Sequence, residues 1–168
     1  MRGPALRLLA ATLGVLVFVP SASDVSAAAG NWLSWDAAGR IARLTLVAGY
    51  NNENNGFNFD GYGRGKLLVR VPLGWRVAVT CRNAGSRRNS CAIVSGPQTI
   101  TLAFPGAATP RPVPGLRSGQ TARFTFTAAR SGTYRIACLV PGHEEARMWD
   151  VLVIGGVTRP SISTRTGF

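Results

Sequence analysis

The stretch Cys138-Leu-Val-Pro-Gly-His143-Glu-Glu-Ala-Arg-Met148 decides the fold and the chemistry of this chain. It lies between strand-like runs at residues 133–137 and 149–154, so one tight loop carries a thiolate, an imidazole and a thioether. Soft sulfur donors with imidazole suit copper better than a hard, oxygen-loving ion. A trigonal copper site takes two His, one Cys and a weak axial Met. The loop offers three of these four ligands, and the chain contains only one His.

Further apolar runs, separated by turn residues, precede this loop. Pro- and Gly-rich segments interrupt them, the longest at residues 106–119, and several runs alternate apolar with polar side chains as half-buried strands do. No long helical period, internal repeat or second domain is visible. The pattern predicts an all-β protein, an antiparallel Greek-key β-sandwich. The runs fall at residues 41–48, 66–71, 75–81, 90–94, 98–104 and 122–127.

The N-terminus has the features of an export signal. Arg2 and Arg7 form a charged segment before a twelve-residue apolar run at residues 8–19. This run is too short to cross a bilayer as a helix, and small residues follow it. Residues 1–29 are predicted to be a secretory signal peptide, with an uncleaved anchor as the alternative. Either form places the protein outside the cytoplasm, in the periplasm or secreted. Residues 30–154 form the predicted domain and 155–168 a polar, poorly ordered tail.

Three cysteines in an exported chain leave at least one thiol unpaired within a monomer. Cys81 and Cys91 lie close together on two neighbouring strand-like runs, and an oxidising compartment favours a disulfide between them. That pairing leaves Cys138 free, as a metal site requires. The alternative is that Cys81 and Cys91 are two buried thiols.

The formal net charge is +12, from 19 Lys and Arg against 7 Asp and Glu. A field of this sign favours acidic partners or anionic surfaces, including membranes, and speeds encounter with them. Nucleic acid is not an expected partner, because the basic residues are scattered and no recognition helix is evident. The Gly-rich segment at residues 61–66 lacks the spacing of a phosphate loop and precedes a strand, which argues against a nucleotide site.

With these motifs in place, the chain resembles the cupredoxin fold and, within it, the sulfocyanin family. The resemblance implies a cupredoxin-like sandwich that binds one type 1 copper ion and transfers single electrons outside the cytoplasm. By position, it implies Cys138 as the thiolate ligand, His143 as the loop imidazole and Met148 as the axial ligand. The segments that carry it, in chain order, are Phe57-Asn-Phe-Asp-Gly, Val71-Pro-Leu-Gly-Trp75, Phe104-Pro-Gly-Ala, Gly132-Thr-Tyr134 and the loop at residues 138–148.

Two positions depart from the family pattern. Asn89 stands where the family has its first His, and Ser90 follows at the place of the residue that hydrogen-bonds the Cys sulfur. Asn89 offers an amide oxygen, a harder and weaker donor than imidazole. Arg147 replaces a common Gly and either crowds the axial side or brings a positive charge near the metal. Cys91 is a weaker candidate for the missing ligand, because it lies about 6.6 Å along the strand from Asn89 at roughly 3.3 Å per residue.

The main hypothesis is an exported, monomeric single-electron carrier that has a modified type 1 copper site and works with a redox partner protein. Two others stay open: a Cu(I) storage or delivery module, and a metal-free structural or interaction domain. An enzyme is not expected, because the only His lies in the copper loop and no catalytic pair can be identified. Glu144 and Glu145, beside His143, are expected to be solvated.

Overall fold

The computed structural model describes residues 31–165, so the predicted export segment at residues 1–29 lies outside the described part, as do residues 166–168. Within this range the chain is almost entirely β-structure, with one short 3₁₀ segment at Glu53–Gly56. No helix among these residues is long and apolar enough to cross a membrane. The strands are β1 (Leu33–Asp36), β2 (Ile41–Ala48), β3 (Leu67–Val71), β4 (Arg76–Asn83), β5 (Ala92–Val94), β6 (Thr121–Thr127), β7 (Gly132–Ala137), β8 (Trp149–Ile154) and β9 (Ser161–Thr164).

The strands form two sheets, with the order β1-β2-β4-β6 in one and β5-β7-β8-β3-β9 in the other. The predicted all-β sandwich is confirmed, and most neighbours pair antiparallel. Each sheet also contains one parallel pair, β2 with β4 and β3 with β8, so both sheets are mixed. Parallel neighbours need a crossover. The chain provides one for β2 and β4 by passing through β3 of the opposite sheet.

Alternation along β4 shows how the sequence selects the inner face. Val77, Val79 and Cys81 are buried, whereas Arg76 and Arg82 are exposed. This is the period of two that a strand with one solvated face requires. The buried side chains of both sheets meet in one main core cluster, which also contains Cys138 and Met148.

A disulfide joins Cys81 to Cys91, as predicted from the oxidising compartment and the odd cysteine count. Cys81 lies in β4 and Cys91 immediately precedes β5, so the bond links the two sheets through the core, where both residues are fully buried. The alternatives of two free thiols and of Cys91 as a metal ligand are thereby ruled out. Cys138 is the one free cysteine.

The prediction of a poorly ordered tail is wrong for residues 161–164. They form β9, which pairs antiparallel with β3 at the edge of its sheet, and Ile162 lies opposite Val69. The polar residues on either side of Ile162 fit an edge strand with a solvated outer face. A single apolar side chain packed against the core was too weak a pattern to predict a strand.

Four loops meet at one end of the sandwich, and this end includes the loop predicted to bind the metal. The side-chain amide of Asn54 donates to the carbonyl of Ala146 at 2.9 Å. The backbones of Asn89 and Leu116 exchange two hydrogen bonds, at 3.1 and 2.7 Å. The four loops, hereafter the site loops, comprise residues 49–66, 84–91, 110–120 and 138–148.

Candidate metal centre

The loop between β7 and β8 is held by its own backbone. The N–H of Met148 donates to the carbonyl of His143 at 2.9 Å, and the N–H of Cys138 donates to the carbonyl of Met148 at 3.3 Å. Pro141 and Gly142, the latter at φ +84°, provide the reversal that a turn of this kind needs. These bonds bring together Cys138, His143 and Met148, each of which lies five positions from the next in the sequence.

Three of the predicted site residues meet at the Cys138 sulfur, which is buried. Its Sγ lies 3.3 Å from Nδ1 of His143 and 3.9 Å from Oδ1 of Asn89. The backbone N–H of Ser90 donates to the same sulfur at 3.2 Å. Ser90 Oγ lies 3.7 Å from the sulfur and accepts the N–H of Leu139 at 2.9 Å, which holds the hydroxyl in place.

Met148 is fully buried in the same core cluster as Cys138. The preceding residue, Arg147, has φ +64°, a left-handed conformation that favours the Gly expected there. Its carbonyl accepts the N–H of Arg64 at 2.9 Å, and its side chain lies at the surface rather than in the core around Met148. Of the two expected effects of Arg147, the geometry supports added positive charge and not crowding.

The hydrogen bonds of Asn83 determine which atom of Asn89 faces the sulfur. Asn83 accepts the N–H of Gly85 on its Oδ1 at 3.0 Å and donates from Nδ2 to the carbonyl of Arg87 at 2.7 Å. These backbone partners allow only one orientation of the Asn83 amide. Its Oδ1 therefore accepts from Nδ2 of Asn89 at 2.8 Å, which leaves Oδ1 of Asn89 turned towards Cys138.

His143 is shielded from solvent, with 7% of its surface exposed. The ring of Phe57 meets it edge-on with centroids 5.0 Å apart, and the guanidinium of Arg87 lies 4.8 Å from the Phe57 centroid. Burial lowers the pKa of His143, and the charge of Arg87 lowers it further against the opposing effect of Glu145. The imidazole is thus kept neutral, which is the form that binds a metal.

Burial raises the pKa of the Cys138 thiol, while hydrogen bonds from the backbone of Ser90 and Val140 act in the opposite direction. A buried thiol of this kind keeps its proton until a cation replaces it, since the thiolate is the form that ligates. Metal binding and proton release are therefore coupled at this residue.

Glu144 is not solvated, contrary to the expectation from the sequence. It forms an ion pair with Arg135, Oε1 to Nη1 at 2.6 Å, and accepts the N–H of Gln98 at 3.0 Å. The Arg135 guanidinium also lies 3.9 Å from the ring centroid of Trp149. Glu145, as expected, is exposed. The pair ties the ligand loop to β7, and no local sequence pattern signals it, because Arg135 lies nine residues earlier.

The donor set fits a copper ion. No three His, Cys, Asp or Glu residues among residues 31–165 gather as a metal-binding group, so a metal here depends on Met148 and Asn89 as well. The 3.3 Å between the Cys138 sulfur and the His143 nitrogen is close to what two donors about 2.0–2.3 Å from one ion span. A soft thiolate, a thioether and an imidazole select copper over magnesium or calcium.

Comparisons of the sequence with known proteins identify its family. Residues 28–164 match the model of the sulfocyanin (SoxE) domain. A sulfocyanin from Sulfolobus acidocaldarius is 27% identical over 139 residues, covering 75% of this chain and 70% of the relative.

Two solved structures are similar in fold. Dithionite-reduced auracyanin from Roseiflexus castenholzii superposes with a TM-score of 0.48 at 22% identity, covering 67% of this chain and 96% of its own. Auracyanin A, a "blue" copper protein from Chloroflexus aurantiacus, gives a TM-score of 0.48 at 18% identity, covering 68% and 99%.

Proposed function

Because this chain belongs to the sulfocyanin family of blue copper proteins, within the cupredoxin superfamily, we propose that it carries single electrons through a modified type 1 site. One copper ion is the cofactor that membership of this family implies. The proposed ligands are Cys138, His143 and Met148, with the amide oxygen of Asn89 at the position of the first His. The protein acts as an electron carrier and not as an enzyme.

One observation carries this proposal: a buried thiol, a neutral imidazole and an oriented amide oxygen converge on one point. His143 and Asn89 approach the Cys138 sulfur at 3.3 and 3.9 Å from two different loops. Water is largely excluded, since Cys138, His143 and Asn89 are all buried. Burying polar groups costs free energy that hydrogen bonds must offset, so a polar cluster at this depth supports a role in binding a ligand rather than in packing.

The residues of this chain have distinct tasks at the proposed centre. Copper supplies the one-electron redox change when bound. Cys138 and His143 hold it, and the N–H of Ser90 draws charge from the sulfur at 3.2 Å. Oδ1 of Asn89 is a weaker donor than imidazole, and this lowers the affinity for Cu(II) more than for Cu(I), because Cu(I) favours the sulfur ligands and tolerates three-coordination. We therefore propose a higher reduction potential than a two-His centre would have in the same fold.

Three further parts of the proposal concern the setting of the protein. The Cys81–Cys91 disulfide supports a location outside the cytoplasm, where disulfides persist. The net charge of +12 supports an acidic redox partner or an anionic membrane surface. A monomer is sufficient, because all four proposed ligands come from one chain.

A second function, storage or delivery of Cu(I), is favoured specifically by Asn89. Loss of the second imidazole leaves sulfur, thioether and one nitrogen as the strong donors, a set that suits Cu(I). In that case the protein would hold copper without cycling between oxidation states. A metal-free interaction domain is the third outcome that the experiment below distinguishes.

The test is to add Cu(II), and in a parallel sample Cu(I) kept reduced with ascorbate, to the purified protein and to measure bound metal and the visible spectrum. Strong absorption from a Cu(II)–thiolate bond, reversible on reduction and reoxidation, supports electron transfer. Colourless protein that retains stoichiometric Cu(I) supports storage or delivery. Failure to retain copper in either state contradicts both. Cys138→Ser is the control, because it removes the thiolate and should abolish the colour.

A further inference from the structure

His143 is almost fully buried. An electron that leaves the centre by way of its imidazole must therefore pass another side chain before it reaches the surface. Phe57 covers the ring edge-on, with centroids 5.0 Å apart. Arg87 in turn lies over Phe57 at 4.8 Å and is exposed. Phe57 and Arg87 are therefore the groups that a partner would touch above the imidazole.

Six exposed arginines lie on the site loops: Arg111 and Arg117 on the loop at residues 110–120, and the other four, among them Arg87, on the three loops that carry Phe57, Asn89 and His143. Nη1 of Arg87 donates to the carbonyl of Asn55 at 3.3 Å. Arg88 donates to the carbonyl of Gly115 at 3.2 Å, and Arg64 donates from Nε to Oδ1 of Asn54 at 3.1 Å. Arg147, whose carbonyl binds the N–H of Arg64, is the fourth.

The charge of these four arginines is not neutralised within the described part of the chain. The side chains of Arg64, Arg87 and Arg88 donate to carbonyl and amide oxygens, and none of the four arginines is in an ion pair with a carboxylate of residues 31–165. The exposed acidic residues on the same loops are Glu53 and Glu145. Since neutral oxygens hold three of these side chains without cancelling their charge, this end of the sandwich carries four positive charges on loops that meet beside Phe57, hereafter called the ring.

We infer that this ring, formed by Arg64, Arg87, Arg88 and Arg147 around Phe57, is the docking surface for an acidic protein that exchanges electrons with the centre. The electron exchange, though not the charge complementarity, rests on the proposed function. Acidic side chains on the partner complement the ring and orient it, which raises the rate of encounter. The electron then passes by way of Phe57 and His143. One electron moves to or from the partner, and no bond or proton is transferred.

Binding at the ring is tested first on the metal-free protein, so that copper plays no part. Hexacyanochromate(III), a redox-inert paramagnetic trianion, is titrated into isotope-labelled protein at low ionic strength. The trianion should broaden mainly the amide resonances of residues 51–65, 84–90 and 142–148. Broadening centred on Arg76, or spread evenly over all exposed arginines, would overturn the inference.

A second titration separates a protein partner from a membrane. Polyglutamate, as a model of an acidic polypeptide surface, should displace the trianion from the ring. Vesicles of equal parts phosphatidylglycerol and phosphatidylcholine should not. If the vesicles broaden the same amides and polyglutamate leaves them unchanged, the face binds membrane and the inference is wrong.

Kinetics with copper-loaded protein test whether electrons use this face. Hexacyanoferrate(III) accepts one electron from the reduced protein and becomes hexacyanoferrate(II). Arg87→Gln should slow this reaction about three- to tenfold at low ionic strength, because one positive charge facing a trianion is lost. Arg76→Gln removes the same charge at the start of β4, about 23 Å from Asn83 at roughly 3.3 Å per residue, and should change the rate less than twofold.

Two comparisons make the kinetic result decisive. Arg87→Lys keeps the charge and should restore most of the rate, whereas the cationic oxidant tris(phenanthroline)cobalt(III) should not be slowed by Arg87→Gln. Equal effects of Arg87→Gln and Arg76→Gln would overturn the inference. A protein that reacts with neither oxidant contradicts the proposed electron transfer instead, and the hexacyanochromate titration still decides the docking surface.

Discussion

Asn83 accepts a hydrogen bond from the side-chain amide of Asn89 at 2.8 Å, and this bond decides the chemistry that Asn89 offers to Cys138. An asparagine has a donor end and an acceptor end of nearly equal size. With its Nδ2 committed to Asn83 and to the carbonyl of Arg87 at 3.3 Å, only the oxygen is left for the centre. The amide that replaces the imidazole therefore also presents a lone pair to the metal, and its N–H groups point away from it.

Asn89→His is the direct test of the proposed ligand position. It should restore a two-His centre, tighten Cu(II) binding by about tenfold or more, which is about 1.4 kcal/mol, and lower the reduction potential. Titration with Cu(II) and potentiometry of the wild type and variant measure both effects. Asn89→Ala is the companion variant and should weaken Cu(II) binding. Unchanged metal behaviour in both variants would show that residue 89 is not beside the metal.

Asn83→Ala should destabilise the fold and disturb the centre together. It leaves the N–H of Gly85 and the carbonyl of Arg87 without their buried partner, at an expected cost of about 2–4 kcal/mol in the free energy of unfolding. Denaturant unfolding of the metal-free protein measures this cost. It also frees the Asn89 amide to rotate, so the copper spectrum should broaden. Asn52→Ala, at an exposed position without a side-chain capping bond, should stay within about 0.5 kcal/mol.

Glu144→Gln tests whether the ion pair with Arg135 holds the ligand loop. Because the Glu144 side chain is nearly buried and Arg135 is partly so, loss of the charge should cost about 1–3 kcal/mol, between the values for surface and buried pairs. Copper should also be lost faster to a chelator, as measured by the decay of its absorption. Glu145→Gln is the matched control one residue away, and an equal effect of the two would contradict the role given to Glu144.

Asp60 predicts an unusual dependence of stability on pH. Burial raises the pKa of its carboxyl from 3.8 to about 7, against the opposing effect of the hydrogen bond from Val47. Because the folded protein holds this proton more tightly than the unfolded chain, the stabilisation is complete below pH 4 and is lost as the pH rises through 7. Asp150, at a pKa raised to about 8 mainly by burial, acts in the same direction.

Asp60→Asn should flatten part of this pH dependence, because the amide keeps an oxygen for the N–H of Val47 at 2.8 Å but does not titrate. Since one pKa unit corresponds to about 1.4 kcal/mol and the pKa of Asp60 is raised from 3.8 to about 7, the variant should gain roughly 3–4 kcal/mol on the wild type at pH 8 relative to pH 4. Thermal unfolding of metal-free protein between these pH values measures it. Asp36→Asn removes a carboxylate from an exposed position and controls for net charge, and an identical gain there would argue against burial as the cause.

The strands and the ligand loop were predictable because their signals are local. The alternation of apolar and polar residues predicted a strand at Ile41–Ala48, and β2 has these bounds in the structure. Cys138, His143 and Met148 lie within one eleven-residue loop. The disulfide followed from three cysteines and the compartment. Edge strand β9 was missed because one apolar residue, Ile162, is too little for a periodic pattern.

The sequence by itself determined that the chain is a β-sandwich with a thiolate, imidazole and thioether on one loop and with Asn89 where a second His is expected. The tertiary structure alone decided that the oxygen of Asn89 faces the thiol, that Glu144 is paired, and that Phe57 and Arg87 cover His143. The physical reason is that Asn89, Phe57 and Arg87 lie on loops that the topology of the two sheets makes neighbours of the ligand loop, while Arg135 reaches Glu144 from nine residues earlier in β7. A period of two specifies which face of a strand is buried, but not which strand lies beside it.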